Sequence, residues 1–220
     1  MRRRDFPALA GAALLASCQR DRQRVIAVIP TATSHLFWVA VQSGAFAAER
    51  ELKIKVIWNG PTTETDYARQ IQILDSMVAQ KVDGIAIAAC ERQALVGPVE
   101  RAIKAGIPVT VFDSGLDSDQ YLSFVATNNY EGGQLAARQM AEFLAAKPAA
   151  KVAILQHAPG SQSTMDREKG FEDTVAQSFA GRLQIVARQY GMSDRSKSRA
   201  AAENFLTAHP DLDGIFCSTE

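Results

Sequence analysis

The 220-residue chain sets 24 basic side chains against 24 acidic ones, and 47% of its residues are hydrophobic. A formal net charge of zero argues against a nucleic-acid partner, which would want a basic face. The composition is that of a soluble globular protein of one or two domains, at about 100–200 residues each.

Residues 1–18, "MRRRDFPALAGAALLASC", have a basic start, a short apolar middle and small residues before a cysteine. The apolar run is too short for a membrane-spanning helix, which needs about 20 residues, and the order of features predicts an export signal. "RRDF" resembles a twin-arginine motif and "LASC" a lipobox. Cys18 is thus expected to carry lipid and to become the mature N-terminus, with residues 19–24 as a tether. Cys90 and Cys217, the other two cysteines, make no C-x-x-C pair and have no histidine at metal-ligand spacing. No metal or cofactor is expected. Both are expected to be small buried residues, at matching places in two repeated units.

Past residue 24 strands and helices alternate. "VIAVI" (25–29) is a short apolar run, as a buried parallel strand requires. Phe37, Val41, Ala45, Ala48 and Leu52 then recur at helical spacing. "IKVIW" (54–58), "GIAIAA" (84–89), "IPVTVF" (107–112) and "LSFVAT" (122–127) read as strands. Helices fall between the first three of these, marked by Tyr67, Ile71, Leu74 and Val78, then by Leu95, Val99, Ala102 and Ile103. A helix with Leu135, Met140, Phe143 and Leu144 on one face opens the second half. Strands at 151–155, 183–189 and 214–217 follow, with helices around 165–179 and 197–208 between them. This alternation predicts parallel sheets with helices on both faces. "KVDGIAI" (81–87) and "DLDGIF" (211–216) each lead from a helix into a strand, so the chain reads as two tandem doubly wound α/β lobes, 25–127 and 128–220. The second lobe lacks a counterpart of "IPVTVF" and is expected to be incomplete.

Ligands of open α/β sheets bind beyond the carboxyl ends of the strands. The residues there include Thr31, Thr33, Ser34, His35, Phe37 and Trp38, then Cys90, Glu91 and Arg92, then Asp113 and Ser114, then Asn128 and Asn129. The second unit adds the loop at 156–171, Ser218 and Thr219. Rings, hydroxyls, a carboxylate and an arginine suit a small polyhydroxylated ligand: aromatic faces cover the C–H side of a sugar ring, Asp accepts from hydroxyls, and Arg donates to oxygens. No nucleophile elbow, phosphate loop or H-E-x-x-H is present.

Six segments in order, "VIPTATSHLFWVAVQSGAFAAE", "VDGIAIAA", "AGIPVTVFDSGL", "FVATNNYEGGQLAA", "STMDREKGF" and "LTAHPDLDGIFCSTE", give the chain its resemblance. It resembles the ribose-binding-protein-like, type 1 periplasmic binding proteins, the substrate-binding lipoproteins of sugar ABC transporters, which share their fold with LacI-type regulators. The resemblance implies two lobes closing on a ligand at a hinge, with roughly the last third of the family pattern absent. It implies ligand contacts at Ser34, Phe37, His35 or Trp38, Asp113, Arg167 and Thr219. Ser114 stands where ribose binders carry Arg, and Thr219 where they carry Asn, so a sugar-like ligand other than ribose is expected.

Each position also has a plainer reading. Phe37 fits the helix core, Ser34 fits a helix N-cap, Arg167 fits an ion pair with Asp166 or Glu168, and Asn128 and Asn129 fit helix caps. Adjacent Phe37 and Trp38 point about 100° apart, so only one should face fully into the cleft. The expected protein is an exported, lipid-anchored monomer in the periplasm or on the cell surface. It would hand a sugar to an ABC permease and bind no nucleic acid. The alternatives are a receptor subunit feeding a sensor or chemotaxis system, and an enzyme on a flavodoxin-like fold using Cys90 with His35.

Overall fold

A computed structural model describes residues 22–219, so the expected export signal and Cys18 lie outside the described residues. The elements are β1 (Val25–Ile29), α1 (Leu36–Leu52), β2 (Lys55–Trp58), α2 (Tyr67–Ala79), β3 (Gly84–Ile87), α3 (Val96–Lys104), β4 (Val109–Phe112) and β5 (Phe124–Val125). There follow α4 (Asn129–Phe143), β6 (Ala150–Gln156), α5 (Gln162–Ser178), β7 (Leu183–Tyr190), α6 (Arg195–Ala208) and β8 (Gly214–Cys217). One sheet has the order β2-β1-β3-β4-β5 and the other β7-β6-β8, and every neighbouring pair is parallel. The fold is α/β, as the alternating pattern predicts.

The second sheet repeats the first three strands of the first. β1 and β3 pair with Ile26 opposite Gly84, and β6 and β8 pair with Val152 opposite Gly214. The shared Asp-Gly-Ile has a physical role at both places. The Asp83 carboxylate accepts from Val25 N–H at 2.7 Å, and Asp83 N–H returns a bond to Val25 O. Asp213 does the same for Lys151, at 3.0 Å. Each aspartate thus supplies the acceptor that the foot of its neighbouring strand would otherwise lack.

Three apolar clusters hold the units. One lies on the first sheet around Ile29, Leu74, Ile87 and Val99. A second lies on the other sheet around Val152, Ile154 and Phe171, whose ring stacks on Phe216 at 4.3 Å. A small third cluster packs Trp38 with Ala32 and Ala88.

The structure corrects several details of the sequence reading. β5 is two residues long, both exposed, rather than six. The buried stripe of α4 is Asn129, Gly133, Ala137 and Ala141, while Leu135 and Phe143 are exposed. Small residues win this face because α4 meets α5 at close range. A Cβ on Gly133 would lie 2.0 Å from Arg167 O, and one on Gly170 would lie 2.0 Å from Tyr130 O. In α1 the buried residue is Trp38, and Phe37 and Leu52 face outward. Cys90 is buried but Cys217 is exposed. The strand register aligns Cys217 with Ile87, three residues before Cys90, so the two cysteines are not equivalent.

Candidate functional site

In both sheets the strand order reverses beside the first strand of the unit, between β1 and β3 and between β6 and β8. The connections leave in opposite directions there and open a crevice at the carboxyl ends. One buried polar side chain stitches each crevice. Gln70, fully buried on α2, donates to Pro30 O at 2.9 Å and Ala88 O at 2.7 Å and accepts from Cys90 N–H at 2.9 Å. Glu168, buried on α5, accepts from Gln156 Nε2 at 2.9 Å, Ser218 Oγ at 2.8 Å and His157 N–H at 3.2 Å. The loops on which the candidate side chains sit are therefore fixed from behind.

A cavity of about 270 Å³ lies between the two crevices. It falls just below the range of roughly 300–1,000 Å³ typical of drug-sized ligands, and so suits something smaller. The first unit lines it with Thr31, His35, Phe37, Trp38, Asp113 and Ser114, together with Glu64 and Cys90. The second contributes His157, Arg167, Thr219 and the hydroxyls of Ser161, Ser163 and Thr164. Of the eight ligand-facing positions expected from sequence, seven border this cavity. Ser34 does not: it borders an adjoining space of about 600 Å³ that shares His35, His157 and Thr219. Nor does Ser34 cap α1. The N-cap position is His35, whose side chain makes no capping bond, and the Ser34 hydroxyl donates instead to Thr62 O at 2.9 Å.

Phe37 and Trp38 divide as adjacent helical residues must. Trp38 is 2% exposed and Phe37 47%, with their rings edge to face at 4.9 Å. This reverses the core assignment that the apolar spacing suggests. The indole wins the interior because its N–H has a partner there, the Glu64 carboxylate at 2.8 Å.

Asp113 ends β4 with φ of 57°, and Ser114 N–H closes a three-residue turn on Phe112 O at 2.6 Å. Burial pushes the Asp113 carboxyl up to about 6, against the nearby Arg167 charge and with the push of Glu64. Ser114 is fully buried, so the shelf beside Asp113 is a hydroxyl rather than a cation.

Arg167 enters from α5. Its Nε donates to Asn129 Oδ1 at 2.8 Å and an Nη to Ser218 O at 3.0 Å, so it pairs with neither Asp166 nor Glu168. Asn128 caps α4, accepting from Glu131 N–H, whereas Asn129 is the rest for Arg167 rather than a cap.

Glu64 and His157 were not singled out in the sequence. Burial alone would raise the Glu64 carboxyl, but the hydrogen bond from Trp38, the electrostatic pull of His157, and the hydroxyls of Thr31 and Ser193 hold it below the ordinary carboxylate range. His157 lies 3.2 Å from Glu64 through Nε2, and burial lowers its pKa despite the neighbouring Glu64 and Glu168. The loop after β2, "NGPTTETD", stood at the same carboxyl edge as the others. Applying the strand-end rule to that strand as well would have found Glu64. Among the described residues no group of His, Cys, Asp or Glu is arranged to hold a metal ion.

The family profile described as a periplasmic binding protein domain matches residues 26–220. The ribose import binding protein of Bacillus subtilis is 30% identical over 84% of this chain. The D-ribose/D-allose-binding protein of Pseudomonas aeruginosa is 30% identical over 89%. The chain spans 58% and 62% of those two relatives' lengths. Among solved structures, a carbohydrate transporter solute binding protein of Agrobacterium radiobacter in complex with D-arabinose superposes with a TM-score of 0.85 at 34% identity. That superposition covers 89% of this chain and 67% of the other. A D-allose-bound solute binding protein of Actinobacillus succinogenes superposes with a TM-score of 0.80 at 26% identity, covering 90% and 70%.

Proposed function

The chain belongs to the periplasmic binding protein domain family, and from that membership we propose that it captures a monosaccharide-sized sugar outside the cytoplasmic membrane for an ABC importer, without chemical turnover. The observation that carries the reading is the cavity itself, which is small and bordered from both units by a carboxylate, a guanidinium, hydroxyls and two aromatic rings. Asp113 accepts from sugar hydroxyls, Arg167 donates to ring or hydroxyl oxygens, and Phe37 and Trp38 offer faces to the C–H side. His35, Ser114 and Thr219 complete the wall, and Ser34 acts through the Thr62 loop rather than on the sugar. Relatives of this kind are periplasmic, and lipid at Cys18 would hold the mature protein at the membrane beside its permease.

Titration calorimetry on the full-length protein with D-ribose, D-allose, D-arabinose and related sugars tests this. Saturable heat with at least one sugar is expected. No heat with any of them, or consumption of a sugar on incubation, would overturn the reading.

A further inference from the structure

Glu64 reaches both units. On its own side Oε1 accepts from Thr31 Oγ1 and Trp38 Nε1, both at 2.8 Å. Across the cavity Oε2 accepts from Ser193 Oγ at 3.0 Å and meets His157 Nε2 at 3.2 Å. A carboxylate offers about four lone-pair sites; three accept from protein donors, and the His157 ring nitrogen lies against the fourth. No site is left for a ligand hydroxyl, although Glu64 borders the cavity.

The position of this bridge follows from the topology. Glu64 follows β2, at one edge of the first sheet, and the chain passes into α4 after β5, at the opposite edge. The bridge therefore closes the side of the cavity far from the crossover, where a small rotation of one unit moves it most. Its partner loop is held under strain. Met192 and Ser193 are consecutive non-glycine residues with φ of 57° and 52°, a conformation that is costly for such residues and concentrates at clamps and switches. Met192 N–H is tied to His157 O at 2.7 Å, so Ser193 and His157 move together. The bridge is also opposed: His157 Nδ1 is buried here without a partner, and opening would return it to water.

We propose that Glu64 is a closure latch, a positioning residue anchored on the first unit by Thr31 and Trp38 that grips Ser193 and His157 of the second and makes no contact with the ligand. The inference rests on the cavity being the ligand site. A latch of this kind sets how much of the closed form exists before ligand arrives. Its loss weakens every ligand by the same factor, because apparent affinity scales with the competent fraction.

The test uses the full-length protein. Small-angle scattering without sugar should show Glu64→Ala expanded relative to wild type. Stopped-flow release of each sugar found by calorimetry should be faster in the variant by roughly tenfold, with the same factor for every sugar and every monodeoxy analogue. Ser193→Ala should shift both readouts in the same direction, and should add nothing to Glu64→Ala. It carries the test if circular dichroism shows that Glu64→Ala does not fold. Unchanged dimensions and release in the folded variants would overturn the latch. So would a loss that disappears with one monodeoxy sugar, which would make Glu64 a ligand contact. If wild type binds none of the sugars, the functional reading fails, and the scattering contrast still decides the latch.

Discussion

Asp113 carries a charge that its surroundings disfavour. Burial raises its carboxyl to about 6, above the ordinary carboxylate value of 3.8. A carboxyl raised by folding contributes stability that is fully present below about pH 4 and is lost as pH rises through about 6. Asp113→Asn removes that loss, and Asn tolerates the φ of 57° as well as Asp does. The variant should therefore unfold at a higher temperature than wild type at pH 7–8, with the difference closing towards pH 4. Thermal melts across pH 4–8 check this, and parallel melting curves at all pH values would refute it. The same variant should bind sugar about tenfold or more weakly by calorimetry, since an ionised acceptor is replaced by a neutral amide. Trp38→Phe keeps the ring but removes one donor from the buried Glu64 carboxylate. A loss of about 1–3 kcal/mol in urea unfolding is expected. Asp113 and Arg167 were legible in the sequence because a charge beside a buried apolar strand, or inside a motif, stands out. Glu64 was not, because one acidic residue in a polar loop resembles any solvated turn. The inward turn of Trp38 was hidden because it depends on that same unseen carboxylate.

At the scale of elements, β1 and β8 were legible to the residue, each a short apolar run with a clear break at its end. Strands were overestimated where an apolar run continues past the last ladder bond, as in β5. The packing of α4 on α5 was not legible, since its buried stripe is Gly and Ala rather than large apolar residues. That contact places Asn129 beside Arg167 and so transmits to the cavity. Gly133→Ala and Gly170→Ala should each cost about 1–3 kcal/mol by overpacking. Gly132→Ala, on the same helix with open space around its Cβ, should gain about 0.5–1 kcal/mol from helix propensity. Equilibrium urea unfolding of the three variants distinguishes a close helix contact from a general intolerance of alanine.

At the scale of the whole molecule, the cavity belongs to neither unit alone, because Asp113 and Arg167 approach it from different sheets. Saturating sugar should therefore raise the unfolding of both units together in scanning calorimetry, by about 2.7 kcal/mol at a hundredfold excess over Kd. A transition that stays unmoved while another shifts would place the ligand on a single unit. The apolar clusters and the cavity lining are otherwise nearly disjoint sets of positions. Among the described residues only Trp38 belongs to both. Exchanging cavity residues can alter what the cavity accommodates while leaving foldability largely intact. Position 38 is the exception, where any change of lining is also a change of frame.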